Sequence, residues 1–464
     1  MRILSLQSGT SADGIDVAIV DVTAVEVTAV DVAIVDVTAV NVTAVDVTAV
    51  DVTADAADGA SSAGEPWLTL RCVFAQTVPW PPELRERILQ AAGNAAVTAE
   101  EICQLDALLG QEFASAARDA LGELADAGGA SADLVVSHGQ TVHHWVDGGR
   151  ARGTLQLGEA SWIAEATRAP VLCNLRAADI AAGGQGAPFM GVFDAAWLGS
   201  AAASSGRPQA TLNLGGIANI SAVSPDGSVQ AWDTGPANAL VDAVLARATN
   251  GVTTFDDGGK LAATGTVNEP MLRALLQHPY LARSAPKSTG RETFGLAVID
   301  ALPLDLPLAD LVATLTRFTA ESIVASLRAE CTVLPERVIV SGGGVHNVTL
   351  MTWLRDLLAA DAVTLDTSTA HGIDPNVKES LLFALLGFLT WHGIACTLPG
   401  TAPGGARLAG QLVFGPEPVR LPAALTGIRG LTVERTAEHT VERTAEHTVE
   451  HSAEHTAEHT VEHS

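Results

Sequence analysis

The chain has 464 residues, 47% hydrophobic and 17% charged, enough apolar sequence for the cores of two or three domains. A formal charge of −27 argues against nucleic acid and anionic membranes as partners, since both are bound by clustered Lys and Arg. Aromatic residues are only 4%, which favours tight α/β packing over an aromatic-rich β module.

In chain order, Ile3–Leu6 and Ile15–Val20 read as hairpin strands around a Gly-rich turn. From Asp16 the chain repeats a five-residue unit (DVAIV, DVTAV) eight times. An odd period gives no persistent face on a strand or a helix, so residues 22–58 are expected to be a peripheral insertion without chemistry. Trp67–Val73 reads as a third strand. Thr98–Leu124 reads as an amphipathic helix begun by the capping pattern Thr98-Ala99-Glu100-Glu101. Leu134–Ser137 and Pro170–Asn174 are short apolar runs ending in polar loops. A second series opens with strands Gln209–Leu214, Ile220–Val223 and Val229–Trp232 and a helix from Pro236. Leu306–Ala329 reads as a helix, Val338–Val340 as a buried strand, and Asn376–Trp391 as a long apolar helix. Ser380–Leu398 carries no Asp, Glu, Lys or Arg, but His392 and Gly393 interrupt it, which suits a buried core helix better than a membrane span. The tail from Val433 holds six of the thirteen histidines in VERTAEHT-like units; it reads as a solvated appendage, or as a weak divalent-metal binder. The two repetitive tracts carry more than half of the net charge, so the acidic balance says little about a site. Strand triplets followed by helices, occurring twice, indicate two α/β lobes.

Five cysteines, no two closer than 31 positions, signal neither a zinc site nor a disulfide framework. The N-terminal sequence lacks the apolar stretch of a signal peptide, and the expected location is the cytoplasm.

Three Gly-rich loops at strand ends carry the chemistry. The first is Ser8-Gly9-Thr10-Ser11-Ala12-Asp13-Gly14-Ile15-Asp16. Its small residues let backbone N–H groups approach phosphate oxygens, Thr10 and Ser11 add hydroxyls, and Asp13 and Asp16 supply hard oxygens for Mg²⁺. A plain hairpin turn would use the same residue types. The second region pairs Asn213-Leu214-Gly215-Gly216 with Asp233-Thr234-Gly235 ahead of a helix, a setting for phosphate and metal. The third, Ser341-Gly342-Gly343-Gly344-Val345-His346-Asn347, leaves room for a flat or anionic group. Together they point to a nucleotide.

These loops, with SHGQTVHH, NLRAADIAAGGQGAPF, LNLGGIANIS, WDTGPANALVD, DDGGKLAATGTVN, VIVSGGGVHN and PNVKESLLFALLG, resemble the anhydro-N-acetylmuramic acid kinase family. The matching stretches run in order from about residue 8 to 388 and are highly specific together. The resemblance implies an α/β fold of two actin-like, RNase H-like lobes of the sugar kinase type, with a nucleotide cleft between them. It places the lobes at 1–205 and 206–432, with 433–464 as a low-complexity tail. It implies ATP and Mg²⁺ as cofactors, an amino sugar as substrate, a homodimer, and phosphorylation of 1,6-anhydro-N-acetylmuramic acid while water opens the anhydro bridge.

Carried over, Gly9, Thr10, Ser11, Ala12, Asp13, Gly14, Ile15 and Asp16 form the first phosphate loop and Asp233, Thr234 and Gly235 the second. Gly342, Gly343, Gly344 and Asn347 lie on the nucleoside side, and Asp13 and Asp233 serve the metal. Asp179 matches the catalytic aspartate. Bridge opening needs a base for the water at the anomeric carbon, and a carboxylate beside Gly183-Gly184-Gln185-Gly186 suits that role; without the resemblance, Asp179 also reads as a loop cap. His138 and Gln140, in a polar run with His143 and His144, read as a sugar-contacting loop. Glu379 either contacts the sugar or favours its helix dipole, and Lys287 and Arg291 either meet the substrate carboxylate or sit in a solvated loop. The segment 399–406 varies from the family's closing segment. Two other readings stay open: the same fold acting on another amino sugar, and a nucleotide-dependent conformational ATPase without a sugar site.

Overall fold

The computed structural model describes residues 1–9, 12–25, 65–93, 95–290, 293–301, 306–396, 405 and 407–434. The first part of the chain forms β1 (Arg2–Ser8), β2 (Gly14–Val25), β3 (Trp67–Pro79), α1 (Pro82–Ala92), α2 (Ala99–Asp126), β4 (Leu134–Asp147), β5 (Arg150–Leu157), α3 (Ala160–Thr167), β6 (Val171–Cys173), α4 (Ala177–Ala181) and α5 (Met190–Ser205). The second forms β7 (Gln209–Leu214), β8 (Ile217–Val223), β9 (Val229–Pro236), α6 (Ala239–Ala248), α7 (Lys260–Thr264), α8 (Glu269–Leu275), α9 (Leu296–Asp300), α10 (Leu308–Glu330), β10 (Arg337–Ser341), α11 (Val348–Ala359) and β11 (Thr364–Thr367). The chain closes with α12 (Lys378–Trp391), β12 (Gln411–Val413) and β13 (Gly430–Glu434).

Two sheets result, ordered β12-β6-β4-β1-β2-β3-β13, with β5 on β4, and β11-β10-β7-β8-β9. Their cores repeat one plan. An antiparallel meander (β1-β2-β3, β7-β8-β9) is extended from its first strand by two parallel strands (β4 and β6, β10 and β11). That duplicated plan is the RNase H-like, two-lobed α/β class expected from the sequence.

Both faces of the first sheet are covered, so its inner strands read as continuous apolar runs. Ile3, Val20 and Val136 pack against α12, while Leu4, Leu6, Val17 and Val135 pack against Leu105, Leu109 and Phe113 of α2. Thr98 caps α2 as its sequence implies, its hydroxyl accepting the Glu101 N–H at 3.1 Å. The stretch from Ser380 is a core helix, buried at almost every position of α12. Among the described residues, no helix is long and apolar enough to cross a membrane.

Three expectations change. Residues 22–25, assigned to the insertion, belong to β2: Val22 is buried and pairs with Leu70, and Val25 pairs with Trp67. Asp21, bound by Arg2 and Arg71, anchors that end of the strand; residues 26–64 and the tail from 435 lie outside the described residues. The polar run after Ser137 is strand rather than loop, since β4 continues to Asp147 and β5 pairs with it. The segment 206–432 also does not stay with the second sheet. Its α12 covers the first sheet's face, and β12 and β13 extend that sheet's two edges.

Helix α5 lies between the sheets. Its Phe193 enters the first core, and its Leu198 packs on Val223 and Ile339 of the second sheet. Asp194, fully buried on α5, forms an ion pair with Lys378 of α12 at 3.1 Å and accepts the Thr211 hydroxyl of β7 at 2.9 Å.

Candidate active site

The parallel strands β1, β4 and β6 end at one edge of the first sheet, where open α/β sheets place their ligands. Gly9 to Asp16 leave β1 there, with Thr10 and Ser11 outside the described residues. Ala12 is buried with φ 50° and donates its N–H to the Gly9 carbonyl at 3.1 Å. Gln140, fully buried on β4, donates from Nε2 to the carbonyls of Gly9 (3.1 Å) and Thr141 (3.2 Å). It therefore braces the first loop, while its Oε1 is buried without a partner among the described residues. Asp13 is exposed and paired with Arg85 at 3.1 Å. Asp16 accepts the Thr77 hydroxyl at 2.6 Å, and burial raises its pKa.

Next to this loop stands a polar wall. His138 is buried, stacks near Phe383 with ring centroids 5.1 Å apart, and has its pKa pushed down to about 3 by burial and by the Arg176 guanidinium. The ring is thus neutral. Arg176 Nε donates to His138 Nε2 at 3.0 Å, which leaves the ring proton on Nδ1, facing the Gly139 carbonyl at 3.0 Å. Glu379, in the first turn of α12, is solvent-accessible yet ringed by protein. Lost hydration raises its pKa, the Asp16 carboxylate adds to that, and Arg176 opposes it. Asp16, Arg176, His138 and Glu379 therefore share one electrostatic neighbourhood.

Asp179 follows on α4. Its Oδ2 accepts the Gly186 N–H at 2.7 Å, and its other carboxylate oxygen has no protein donor among the described residues. The Gly183–Gly186 loop closes tightly on it: a Cβ at Gly184 would lie 2.2 Å from Asp179 Oδ2, so only glycine fits.

In the second sheet, the β7–β8 turn with Gly215 and Gly216 stands where the Gly9 loop stands in the first. Gly342 has φ 84°, and a Cβ there would lie 2.5 Å from Asn213 Oδ1, which lets the third loop close on this turn. Asn347 caps α11 by accepting the Leu350 N–H at 2.9 Å, and the adjacent Thr349 hydroxyl donates to the Gly259 carbonyl at 2.7 Å. The structure thus joins Gly342, Gly344 and Asn347 to the 213–216 turn and the 256–260 loop.

The Asp233-Thr234-Gly235 stretch lies at the end of β9. Thr234 is buried and donates its hydroxyl to the Ala218 carbonyl at 3.2 Å, so that group serves the sheet. Asp233 Oδ2 accepts the Thr289 N–H at 2.9 Å. The N–H groups of Ala237, Asn238 and Ala239, ahead of and at the start of α6, bond to the carbonyls of Gly215 and Gly216. Lys287 is buried rather than in a solvated loop: it donates to the Arg283 carbonyl at 2.7 Å and lies 3.7 Å from Glu330. Arg291 and residues 399–404 lie outside the described residues. Sequence reasoning missed Arg176 as a site residue, although it opens the same Arg-Ala-Ala-Asp run as Asp179.

Comparison with known proteins shows the family. A family model for anhydro-N-acetylmuramic acid kinase matches residues 47–414, a span that begins after the Gly9 loop. The anhydro-N-acetylmuramic acid kinase of Streptomyces coelicolor is 45% identical over 359 residues, 76% of this chain and 89% of its own. That of Rhodococcus erythropolis is 41% identical over 425 residues, 89% of this chain and 93% of its own. Among solved structures, the ROK hexokinase of Thermus thermophilus aligns over 83% of this chain and 98% of its own at 15% identity, with a TM-score of 0.30, too loose a likeness to bear on the site.

Proposed function

The chain belongs to the anhydro-N-acetylmuramic acid kinase family, and we propose that Asp179 is the base with which it opens the anhydro bridge of its substrate. It is an ATP-using kinase acting on anhydro-N-acetylmuramic acid in peptidoglycan recycling. In the proposed step, water attacks the anomeric carbon and gives one proton to Asp179, keeping the other in the new hydroxyl. The bond from that carbon to O6 breaks, and O6 forms its bond to the γ-phosphorus as ADP leaves. The product is N-acetylmuramic acid 6-phosphate.

The observation that carries this is the Asp179 carboxylate, one oxygen held by a peptide N–H and the other without a protein donor among the described residues. A general base needs that arrangement, oriented on one side and open on the other. Glu379 supplies a polar group for the sugar hydroxyls and amide, while His138, with both ring nitrogens engaged by Arg176 and the Gly139 carbonyl, backs that wall from within. The Gly9–Asp16 loop and the 213–216 and 342–347 turns flank the triphosphate and nucleoside, with the Asp233–Gly235 stretch contributing Asp233 rather than the buried Thr234 hydroxyl.

Mg²⁺, which would neutralise charge on the transferring phosphoryl group, fits this donor set as a nucleotide-borne ion. No cluster of three or more His, Cys, Asp or Glu able to hold a metal occurs among the described residues. One or two carboxylates with phosphate oxygens and water are the usual Mg²⁺ environment. Asp16 suits it best, because it is a largely buried carboxylate held by the Thr77 hydroxyl, with no cation partner among the described residues. Asp13, already paired with Arg85, and Asp233 are the other candidates. A cytoplasmic homodimer completes the proposal; five free cysteines suit a reducing compartment.

Asp179→Asn tests the base directly. Turnover should fall at least about a hundredfold, with sugar affinity little changed. Near-parental turnover would remove Asp179 from that role.

A further inference from the structure

We propose that Arg176 is a positioning residue for the base: its guanidinium grips Gly186 from the carbonyl side while Asp179 takes the same residue's N–H. This rests on the reading of Asp179 as base. Arg176 Nη1 donates to the Gly186 carbonyl at 2.8 Å, and the Gly186 N–H donates to Asp179 Oδ2 at 2.7 Å. One residue of a glycine-rich loop is thus clamped on both sides, and the carboxylate's orientation follows from where the guanidinium sits.

The guanidinium is itself fixed. Its Nε donates to His138 Nε2 at 3.0 Å, and its carbon lies 5.7 Å from the Phe189 ring centroid. His138 offers a lone pair because the ring is neutral, so a buried histidine and an arginine coexist without repulsion. At the other side of the loop, Gln185 Oε1 accepts the Ala151 N–H at 2.9 Å, and its Nε2 donates to the Gly149 carbonyl at 3.3 Å. These bonds tie the loop to the β4–β5 turn. Glycines cannot hold a loop by side-chain packing, so this one depends on its partners. Arginine suits the task better than lysine, since its planar fork can serve His138 and Gly186 at once.

The test is a double-mutant cycle of Arg176→Lys with Asp179→Asn, read as sugar-dependent ADP release. Lysine keeps the positive charge near Glu379 and loses the fork. Alone, Arg176→Lys should lower kcat about thirtyfold and leave the KM for ATP unchanged. In the Asp179→Asn background it should cost less than about threefold, because the group it positions is gone. If Arg176→Lys lacks the parental circular dichroism spectrum, Arg176→Gln replaces it in the same cycle. Equal losses in both backgrounds would show a general structural role and overturn the inference, as would parental kcat in Arg176→Lys. A near-parental Asp179→Asn enzyme would instead remove the base itself, and the two failures are distinguished by that single variant.

Discussion

Lys378→Met probes the contact that ties the two sheets together. Asp194 is fully buried on α5, and Lys378 is nearly so at the start of α12; their 3.1 Å ion pair is completed by the Thr211 hydroxyl of β7 and by the Trp197 ring, 5.8 Å from Lys378 Nζ. Methionine keeps much of the apolar stem but leaves a buried carboxylate with one hydroxyl donor. Removing one partner of such a pair costs about 3–5 kcal/mol. For a fold of this length, with an unfolding entropy of about 0.8 kcal/mol per degree, a loss of about 4 kcal/mol corresponds to a Tm lower by about 5 °C. Replacing both partners, as Asp194→Leu with Lys378→Met, removes the stranded charge and should recover most of the loss, since apolar replacement of a whole buried pair is often neutral or better. Differential scanning calorimetry on the three proteins decides it. A Lys378→Met protein within 1 °C of the parent, or a double variant less stable than either single one, would show that the buried pair does not hold the sheets in this way.

Gly184→Ala should abolish most turnover while scarcely changing Tm, because the new methyl would displace the Asp179 carboxylate and the position has no left-handed backbone to strain; steady-state kinetics beside calorimetry checks both halves. Glu379 is held above the ordinary glutamate pKa of 4.5, so its contribution to stability is fully present below that value and is lost as pH rises through the folded pKa. Glu379→Gln should therefore melt with the parent below about pH 4 and above it at pH 7, and a Tm difference independent of pH would contradict the assignment. Deleting residues 26–66 and joining Val25 to Trp67 through Asn-Gly should preserve kinase activity within about twofold. These two residues are paired across the β2–β3 ladder and need only a two-residue turn; an inactive but natively folded deletion would implicate the repeats.

The strands most legible in the sequence are those buried on both faces. Gln209–Leu214 appears at its expected bounds because its alternation of polar and apolar residues, ended by the Gly215-Gly216 turn, reads as a strand. β4 was harder, since Ser137-His138-Gly139-Gln140 reads as loop. The signal that recovers it is the Asp147-Gly148-Gly149-Arg150 turn, with both glycines at positive φ, which marks a hairpin joining β4 to β5. The return of α12, β12 and β13 to the first sheet was not legible, because strand partners hundreds of residues apart leave no local pattern. Of the site, the Gly-rich loops are legible from residue types, whereas Asp179 stands out by family resemblance, because a lone carboxylate before a Gly-rich loop also reads as a loop cap. The burial of Thr234 and Lys287 could not be read, since a hydroxyl or amine looks the same whether it serves a ligand or the fold.

On this account, bridge opening and phosphoryl transfer are one reaction on this site. Mass analysis of the sugar phosphate formed from the anhydro-sugar and ATP in ¹⁸O-labelled water tests it most directly. One ¹⁸O at the anomeric hydroxyl and none in the transferred phosphoryl group is the predicted result. An unlabelled product that retains the anhydro bridge, or label in the phosphoryl group, would contradict the account.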